Sequence, residues 1–295
     1  QPARSLRRDL EAEEGLAGTA RAARRPHRPA GPAGTGTAGR SRVPKIAVVT
    51  GGSSGIGAAV ARKLTERGWS CVLVARGEER LRAVAGELGA EWERCDVGDR
   101  SEVERIAAAI RERHPEIGLL VNGAGIPGRG GFLRADAELI ETVTRTNYLG
   151  GVWCLRAFLP ALEAAAPSHV VNVVSVAGTI SSGAAGPYSA SKHAQLAFSR
   201  AARSELRERG IHVHTVLPGF VETPGFPQRS RFSGSLLRAV VVEPELVANR
   251  IVAAVERDRA EIFVPRYYRI ATLAQVFAPG LVARAGKRGI RPAGE

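Results

Sequence analysis

Short apolar, β-branched runs alternate with longer amphipathic stretches from Lys45 to Val264. The first, K-I-A-V-V-T over Lys45 to Thr50, shows no polar alternation, the pattern of a parallel strand buried on both faces. Similar runs cover Trp69 to Arg76, Glu91 to Val97, Ile117 to Val121, His169 to Ser175, Ile211 to Leu217 and Glu261 to Val264. Helical patterns fall between them. One runs to about Arg67, with Gly68 well placed as the residue just past its end. Another opens on Ser101 and Glu104, spaced as a capping box, and reaches Arg113. A long one spans Ala137 to Ala165, and another Pro187 to Arg209. The last starts at Pro244, a residue suited to a first helical turn, and ends near Arg257. This alternation predicts an α/β fold: a single domain with a doubly wound, mostly parallel sheet of about seven strands and right-handed crossovers. In such a sheet ligands bind at the carboxyl ends of the strands.

The flanks differ from this core. Residues 1–43 hold Arg, Ala, Gly and Pro with few large apolar side chains, and are expected to be disordered. Three glutamates (Glu11, Glu13, Glu14) and the lack of an apolar stretch argue against a targeting peptide there. The chain has no methionine and opens on Gln1, so a natural start at or near Val43 is expected. Residues 44–265 form the expected catalytic domain, and 266–295 a basic amphipathic tail. The formal charge of +13 belongs to the ends. Residues 1–44 carry nine arginines against four acids, and 266–295 six basic residues against one acid, leaving only +3 in between. That distribution speaks against a nucleic-acid-binding fold. Cys71, Cys95 and Cys154 match no metal spacing and suit reduced thiols in a cytoplasmic setting. No apolar run reaches the ~18 residues of a membrane span.

Chemistry concentrates at the expected strand ends. After the first strand comes T-G-G-S-S-G-I-G, in which Gly51, Gly55 and Gly57 sit between a strand and a helix. Glycines there allow a tight turn and close backbone approach, and the helix N-terminus attracts phosphate. Ser53 and Ser54 add hydroxyls. The second strand ends in Ala75-Arg76 where a dinucleotide site commonly has an acid. A cation there suits the 2′-phosphate of NADP(H). Asp96 and Val97 are placed to border an adenine. Asn122 to Gly125, N-G-A-G, ends the fourth strand, and Asn147 reads as an unpaired amide in mid-helix. Ser175 ends the fifth strand. Thirteen residues later comes Tyr188, with Lys192 four after it on the same helical face. A phenol normally titrates near ~10. A cation beside it lowers that value, and a serine hydroxyl polarises a carbonyl, so the three suit proton exchange with an alcohol or carbonyl.

These motifs, in this order and spacing, closely resemble the classical short-chain dehydrogenase/reductase family, with its Rossmann-type nucleotide-binding fold, over about residues 44–265. The resemblance rests on T-G-x-x-x-G-x-G at 50–57, Asp96, N-x-A-G at 122–125 and Asn147. It continues through Ser175, Tyr188-x-x-x-Lys192 and P-G-x-x-x-T at 218–223. It implies an oxidoreductase interconverting a carbonyl and an alcohol by hydride transfer, with NADP(H) preferred and NAD(H) also usable. Tyr188 is then the acid/base. Lys192 lowers its pKa and holds the nicotinamide ribose, Ser175 orients the carbonyl, and Asn147 supports a water relay behind Lys192. Thr223 meets the carboxamide. Further cofactor contacts are implied at Ile56, Asn122, Ala124 and Gly125, and at Pro218, Gly219 and Val221. Gly123 departs from the family's second Asn, which puts local rigidity in question. A homodimer or homotetramer is implied through the helices bearing Asn147 and Tyr188.

Three segments, 126–135, 176–187 and 220–242, are expected to line the substrate pocket. Their small and apolar side chains favour a hydrophobic alcohol or ketone; Arg229 and Arg231 stand as the opposing anion-binding reading. Two functions from other classes remain open: a non-catalytic NADP-binding sensor or scaffold, and an epimerase or lyase on the same fold. For the tail, one reading is peripheral association with an anionic membrane surface. The others are a helix over the pocket or an oligomer contact.

Overall fold

β1 (Ile46–Thr50) is the strand from which the sheet grows to both sides. The computed structural model describes residues 45–128, 130–181, 186–229 and 240–280. The expected disorder of residues 1–43 and the last part of the basic tail lie outside the described residues. So do Arg231, Phe232, Leu236 and Leu237 of the expected pocket segment.

β1 is followed by α1 (Gly55–Thr65), β2 (Ser70–Ala75), α2 (Glu78–Leu88), β3 (Glu91–Arg94), α3 (Arg100–Arg113) and β4 (Leu119–Asn122). A helical run then comprises α4 (Ala137–Thr144), a π-helical turn (Arg145–Leu149) and α5 (Gly150–Ala164). The chain continues through β5 (Ser168–Val173), α6 (Gly186–Leu206), β6 (Ile211–Pro218), α7 (Pro244–Glu256), β7 (Glu261–Val264) and α8 (Tyr268–Phe277). All seven strands are parallel, in the order β3-β2-β1-β4-β5-β6-β7. The doubly wound, Rossmann-type sheet is therefore as expected. Strand order reverses between β1 and β4, which opens a crevice at their carboxyl ends.

The uniformly apolar strands supply both faces. Val49, Leu73, Val121 and Val171 pack with α1 and α7, whereas their neighbours Val48, Val72, Leu120 and Val170 pack with α3, α5 and α6. Both helix layers are thus pinned to one sheet, and the strand ends stay in register. Near those ends Thr50, Asn122, Asn172 and Thr215 stand opposite one another across four strands. Asn122 Nδ2 donates to Asn172 Oδ1 (2.9 Å), and Asn172 Nδ2 to Ser199 Oγ (2.9 Å), itself 2.7 Å from Thr215 Oγ1. This buried polar row lies directly beneath the crevice.

Three expectations change. β3 stops at Arg94 instead of Val97, so Asp96 and Val97 sit on the turn beyond it. The cap of α3 is Asp99, not Ser101: its carboxylate accepts the N–H groups of Ser101 (2.8 Å) and Glu102 (3.2 Å). The acid that reaches back is Glu102, which accepts the Asp96 N–H at 2.9 Å, while Glu104 pairs with Arg100. The 137–165 helix is interrupted by the π turn that carries Asn147. Such a bulge lets one side chain leave the regular helical face.

Three histidines sit together near the opposite ends of β5 and β6. His214 Nδ1 donates to the Arg259 carbonyl (2.8 Å), leaving its Nε2 to accept from His169 Nδ1 (3.0 Å); His212 pairs with Asp258 (3.0 Å). Burial first, then the neighbouring imidazoles of His214 and His212, lowers His169 from 6.5 to about 4, and burial also lowers His214. The unfolded chain therefore binds protons more readily than the folded one as pH falls from 6.5 towards 4, and stability declines across that window. Thermal unfolding midpoints should drop more steeply between pH 6.5 and 4.5 for the wild type than for His169→Gln. Parallel slopes for the two proteins would refute this.

Candidate active site

A cleft of about 2300 Å³ occupies the carboxyl ends of the strands at the crevice. Its first wall is the turn between β1 and α1. Gly51 has φ +73°, and a Cβ there would lie 2.9 Å from the Gly123 carbonyl and the Ala124 nitrogen. A Cβ on Gly57 would lie 2.2 Å from the Gly51 carbonyl oxygen. The turn closes this tightly only because both residues lack side chains. Ser54 precedes α1 in an extended conformation without a side-chain capping bond, and the first turn of the helix carries no acid. Ser53, Ser54, Gly55 and Ile56 line the cleft. A helix N-terminus with exposed glycine backbone and no competing carboxylate fits a diphosphate.

Arg76, at the end of β2, lines the same region with Asp96 and Val97. Arg76 Nη1 lies 3.5 Å from Asp96 Oδ2; both side chains are substantially exposed, so the pair is weak and the guanidinium is available. Glu78, Glu79 and Arg80, from the first turn of α2, also border this end. Ala124 and Gly125 line the cleft as expected; Asn122 does not. Its side chain is buried in the polar row, facing Asn172 and the Gly151 carbonyl, because its strand position turns it towards α5. The Gly123 departure is also accounted for. A Cβ there would meet the Thr50 carbonyl at 2.8 Å, and Thr50 Oγ1 braces the turn by accepting the N–H groups of Gly123 (3.1 Å) and Ala124 (3.3 Å).

The chemical end is built from β5, the π turn and α6. Asn147 is fully buried and fully paired, not the unpaired amide expected. Its Oδ1 accepts the Ile126 N–H (2.7 Å), and its Nδ2 donates to the Ile126 carbonyl (3.0 Å) and Ser191 Oγ (3.1 Å). It lies behind the cleft wall, beside Lys192: a Cβ on Gly125 would be 3.4 Å from Asn147 Oδ1 and 3.7 Å from Lys192 Nζ. Lys192 is only 4 % exposed. Its ammonium donates to the Val173 carbonyl (3.1 Å) and to Gln195 Oε1 (2.7 Å), and stands 5.8 Å from the centre of the Tyr188 ring. Burial pushes it down from 10.5 to about 7.

Burial likewise pushes the Tyr188 phenol up to about 12, with its hydrogen bond to Ser175 acting the other way. The depressed tyrosine pKa expected from the Tyr-Lys spacing is therefore not expressed in this arrangement. The lysine is turned to neutral acceptors and is itself inclined to lose its proton. Ser175 Oγ accepts the Ala177 N–H (3.1 Å) and faces the Pro218 carbonyl (3.5 Å). Thr223 packs on the glycine turn, its methyl 2.9 Å from a Cβ built on Gly55, and its Oγ1 accepts the Phe226 N–H (3.1 Å). Pro218, Gly219 and Val221 line the cleft beside it.

Two contributors lie outside the sequence expectations. Gln195, almost completely buried, is the closest partner of the lysine; its signal was a polar residue three positions after Lys192 in a helix. Tyr268 and Ala271 of α8 also line the cleft. A Cβ on Gly219 would come within 2.0 Å of the Tyr268 ring, so that ring occupies the space a side chain would fill. Nothing in the local pattern beyond β7 signals this contact. Of the expected substrate segments, 126–128, 130–134 and parts of 176–186 and 220–228 face the cleft. The tail helix covers the pocket, as one of its expected roles had it. Among the described residues no group of His, Cys, Asp or Glu could hold a metal.

The family model for short chain dehydrogenases matches residues 45–232. A 3-oxoacyl-(acyl-carrier-protein) reductase of Bos taurus is 37% identical over 181 residues, covering 61% of this chain and 76% of that protein. Among solved structures, an actinorhodin polyketide ketoreductase variant with NADPH is 33% identical and superposes with a TM-score of 0.69, over 76% of this chain and 97% of that one. A short-chain dehydrogenase/reductase from Burkholderia phymatum in complex with NAD is 26% identical, with a TM-score of 0.72 over 85% of this chain and 98% of that one.

Gly57→Ala places a methyl against the Gly51 carbonyl, and overpacking of this kind costs about 1–3 kcal/mol. The variant should melt lower, and the displaced turn should bind NADPH about 5- to 150-fold more weakly, the range that 1–3 kcal/mol spans at 1.4 kcal/mol per factor of ten. A fluorescence titration giving wild-type affinity would show that the turn is not the cofactor cradle.

Proposed function

The chain belongs to the short-chain dehydrogenase/reductase family and is an oxidoreductase; from that premise we propose that it reduces a hydrophobic ketone or aldehyde with NADPH. The observation that carries this is the convergence of Ser175 and Tyr188 on the cleft that begins at the glycine turn, with Lys192 buried behind them. When bound, the nicotinamide supplies or takes the hydride. The chain's own residues hold the substrate and move the proton. Gly51, Ser53, Ser54, Gly55, Ile56 and Gly57 would hold the diphosphate. Asp96 and Val97 would border the adenine. Lys192, Ala124, Gly125 and Thr223, with Pro218, Gly219 and Val221, would hold the nicotinamide end. Asn122 acts beneath the site, through the polar row.

Tyr188 is the proton donor in this reading, and Ser175 binds the carbonyl oxygen beside it. A phenol held near 12 is fully protonated at neutral pH. That is the form that donates a proton to a carbonyl oxygen. Lys192, held by Gln195 and Val173, keeps the local field positive when charged and favours the phenolate left behind. Asn147, joined to Ser191 and to the Ile126 backbone, fixes the wall against which this happens. Residues 44–265 are the catalytic unit, and a homo-oligomer through the helices carrying Asn147 and Tyr188 completes the assembly.

Arg76 supports NADPH over NADH, since an exposed guanidinium only loosely paired with Asp96 at the end of β2 suits a phosphate, and no aspartate or glutamate holds that position. Substrate class rests on the apolar lining by Phe132, Phe220, Phe226 and Tyr268 and on the relatives named as ketoacyl and polyketide ketoreductases.

A panel of ketones assayed with NADPH and NADH tests the whole reading; turnover confined to charged or polyhydroxylated compounds would overturn the substrate class. Tyr188→Phe should lower kcat by about 10²–10⁴-fold, the usual contribution of a positioned acid, with NADPH affinity nearly unchanged. An active phenylalanine variant would remove Tyr188 from the chemistry. Charge reversal in Arg76→Glu should raise the NADPH KM on the order of 10- to 100-fold, the range for a charged hydrogen bond, and leave NADH little changed. Unaltered NADPH kinetics would cancel the cofactor preference.

A further inference from the structure

α8 presents two unlike sides. Tyr268 and Ala271 line the cleft, Tyr268 packs edge-on to Phe220 with ring centres 6.5 Å apart, and Thr272 Oγ1 lies 2.9 Å from Thr179 Oγ1. At about 100° per residue these fall on one side of the helix. Ile270, Leu273, Val276 and Phe277 come round to the other, where they are 71, 50, 68 and 82% exposed. No residue of the helix is buried. A ten-residue helix with four large apolar side chains in water is unfinished as a surface.

The charge around this face says what completes it. Arg266 and Arg269 stand at its N-terminal end, and further along the sequence come Arg284, Lys287, Arg288 and Arg291, which lie outside the described residues. The one acid in residues 266–295 is the final residue, Glu295. A second copy of the chain docked face to face would set these cations against their equivalents. An anionic lipid surface instead meets the apolar stripe with acyl chains and the cations with headgroups. No described helix is long and apolar enough to cross a membrane, so the contact is peripheral. Two further apolar residues that line the cleft, Phe132 and Leu133, are 53 and 101% exposed.

We propose that the outer face of α8 docks on an anionic lipid surface, and that the cleft behind it draws a hydrophobic carbonyl substrate from the bilayer. The second half rests on the reductase reading above; the first does not. Ile270, Val276 and Phe277 insert, Arg266 and Arg269 hold the headgroups, and Tyr268 and Ala271 keep the inner side of the same helix on the substrate wall.

The full chain should be sedimented with vesicles of phosphatidylcholine alone and of phosphatidylcholine with phosphatidylglycerol, at low and high salt. Wild type should pellet with the anionic vesicles at least ~10-fold more than with the zwitterionic ones, and salt should weaken this. The triple variant Ile270→Glu/Val276→Glu/Phe277→Glu should stay in the supernatant while keeping its melting temperature and NADPH fluorescence. Equal pelleting of the variant, or wild type free of both vesicles, overturns the docking. A wild type that ignores lipid but loses mass in size-exclusion chromatography on triple substitution would make the face a self-contact and overturn it too. In the catalytic arm, turnover of a vesicle-dissolved ketone should fall in the variant while that of a water-soluble ketone holds. Lipid binding without turnover of either ketone sinks the reductase reading and leaves the docking standing.

Discussion

A buried ammonium with no carboxylate to meet it sets the terms for the candidate site. Lys192 is 4 % exposed, and burial alone accounts for its lowered pKa. Taking such a charge out of water is costly unless its hydrogens are accepted. The acceptors here are neutral: the carbonyl at the end of β5 and the Gln195 amide three residues along the same helix. Both are fixed by regular structure, β5 by the sheet and Gln195 by the helical repeat of α6. Seating the lysine therefore requires the end of β5 and the face of α6 to be in register. The packing of α6 on the sheet through Ala202 and Leu206 secures that register at a distance.

The same logic explains the polar row beneath. A sheet end lined only with aliphatic side chains would leave the Ala124 N–H without its side-chain acceptor and the Gly123 N–H with the Val121 carbonyl alone. Thr50, on the neighbouring strand, accepts both N–H groups. Asn122 and Asn172 extend the pairing towards β6, where Ser199 and Thr215 close it. One acceptor, Asn122 Oδ1, has no partner among the described residues. The row ties four strands and α6 together one layer below the chemistry, so the loops above are positioned by hydrogen bonds as well as by packing. The glycine turn, Asn147 and Tyr188 belong to three different loops or helices, and this layer is what they share.

The parts that were legible in the sequence are those set by local rules. Unbroken apolar runs gave the strands, and the strand-glycine-helix succession gave the tight turn at the cleft, because parallel burial and a close backbone approach leave few alternatives. What was misread depended on a choice between near-equivalents. Asp99 and Ser101 are both good caps, and the geometry after Val97 favours the first. Asn147 looked orphaned because helical periodicity cannot announce a π turn that swings it towards Ile126. Asn122 was assigned to the cleft from its motif, although its strand position points it beneath. The electrostatics of Tyr188 were the least legible of all. Spacing shows that a lysine is near, but only the fold shows that Gln195 competes for its protons.

The substrate wall resists sequence reading for a different reason: it is assembled from segments that have no reason to meet until the sheet has formed. Gly219 is the junction. It follows β6, borders the expected nicotinamide end, and accepts the Tyr268 ring where any side chain would stand. A larger residue there would have to displace the ring, and with it the helix that closes the cleft. The glycine proposed to border the nicotinamide thus also admits the aromatic ring of Tyr268 to the cleft wall. Because Tyr268 sits on the inner side of α8 and the apolar stripe on its outer side, whatever engages that stripe acts on a helix already committed to the cleft. On the reading proposed above, substrate choice and surface attachment are two faces of one ten-residue helix, joined to the cleft at Gly219, Phe220 and Thr179.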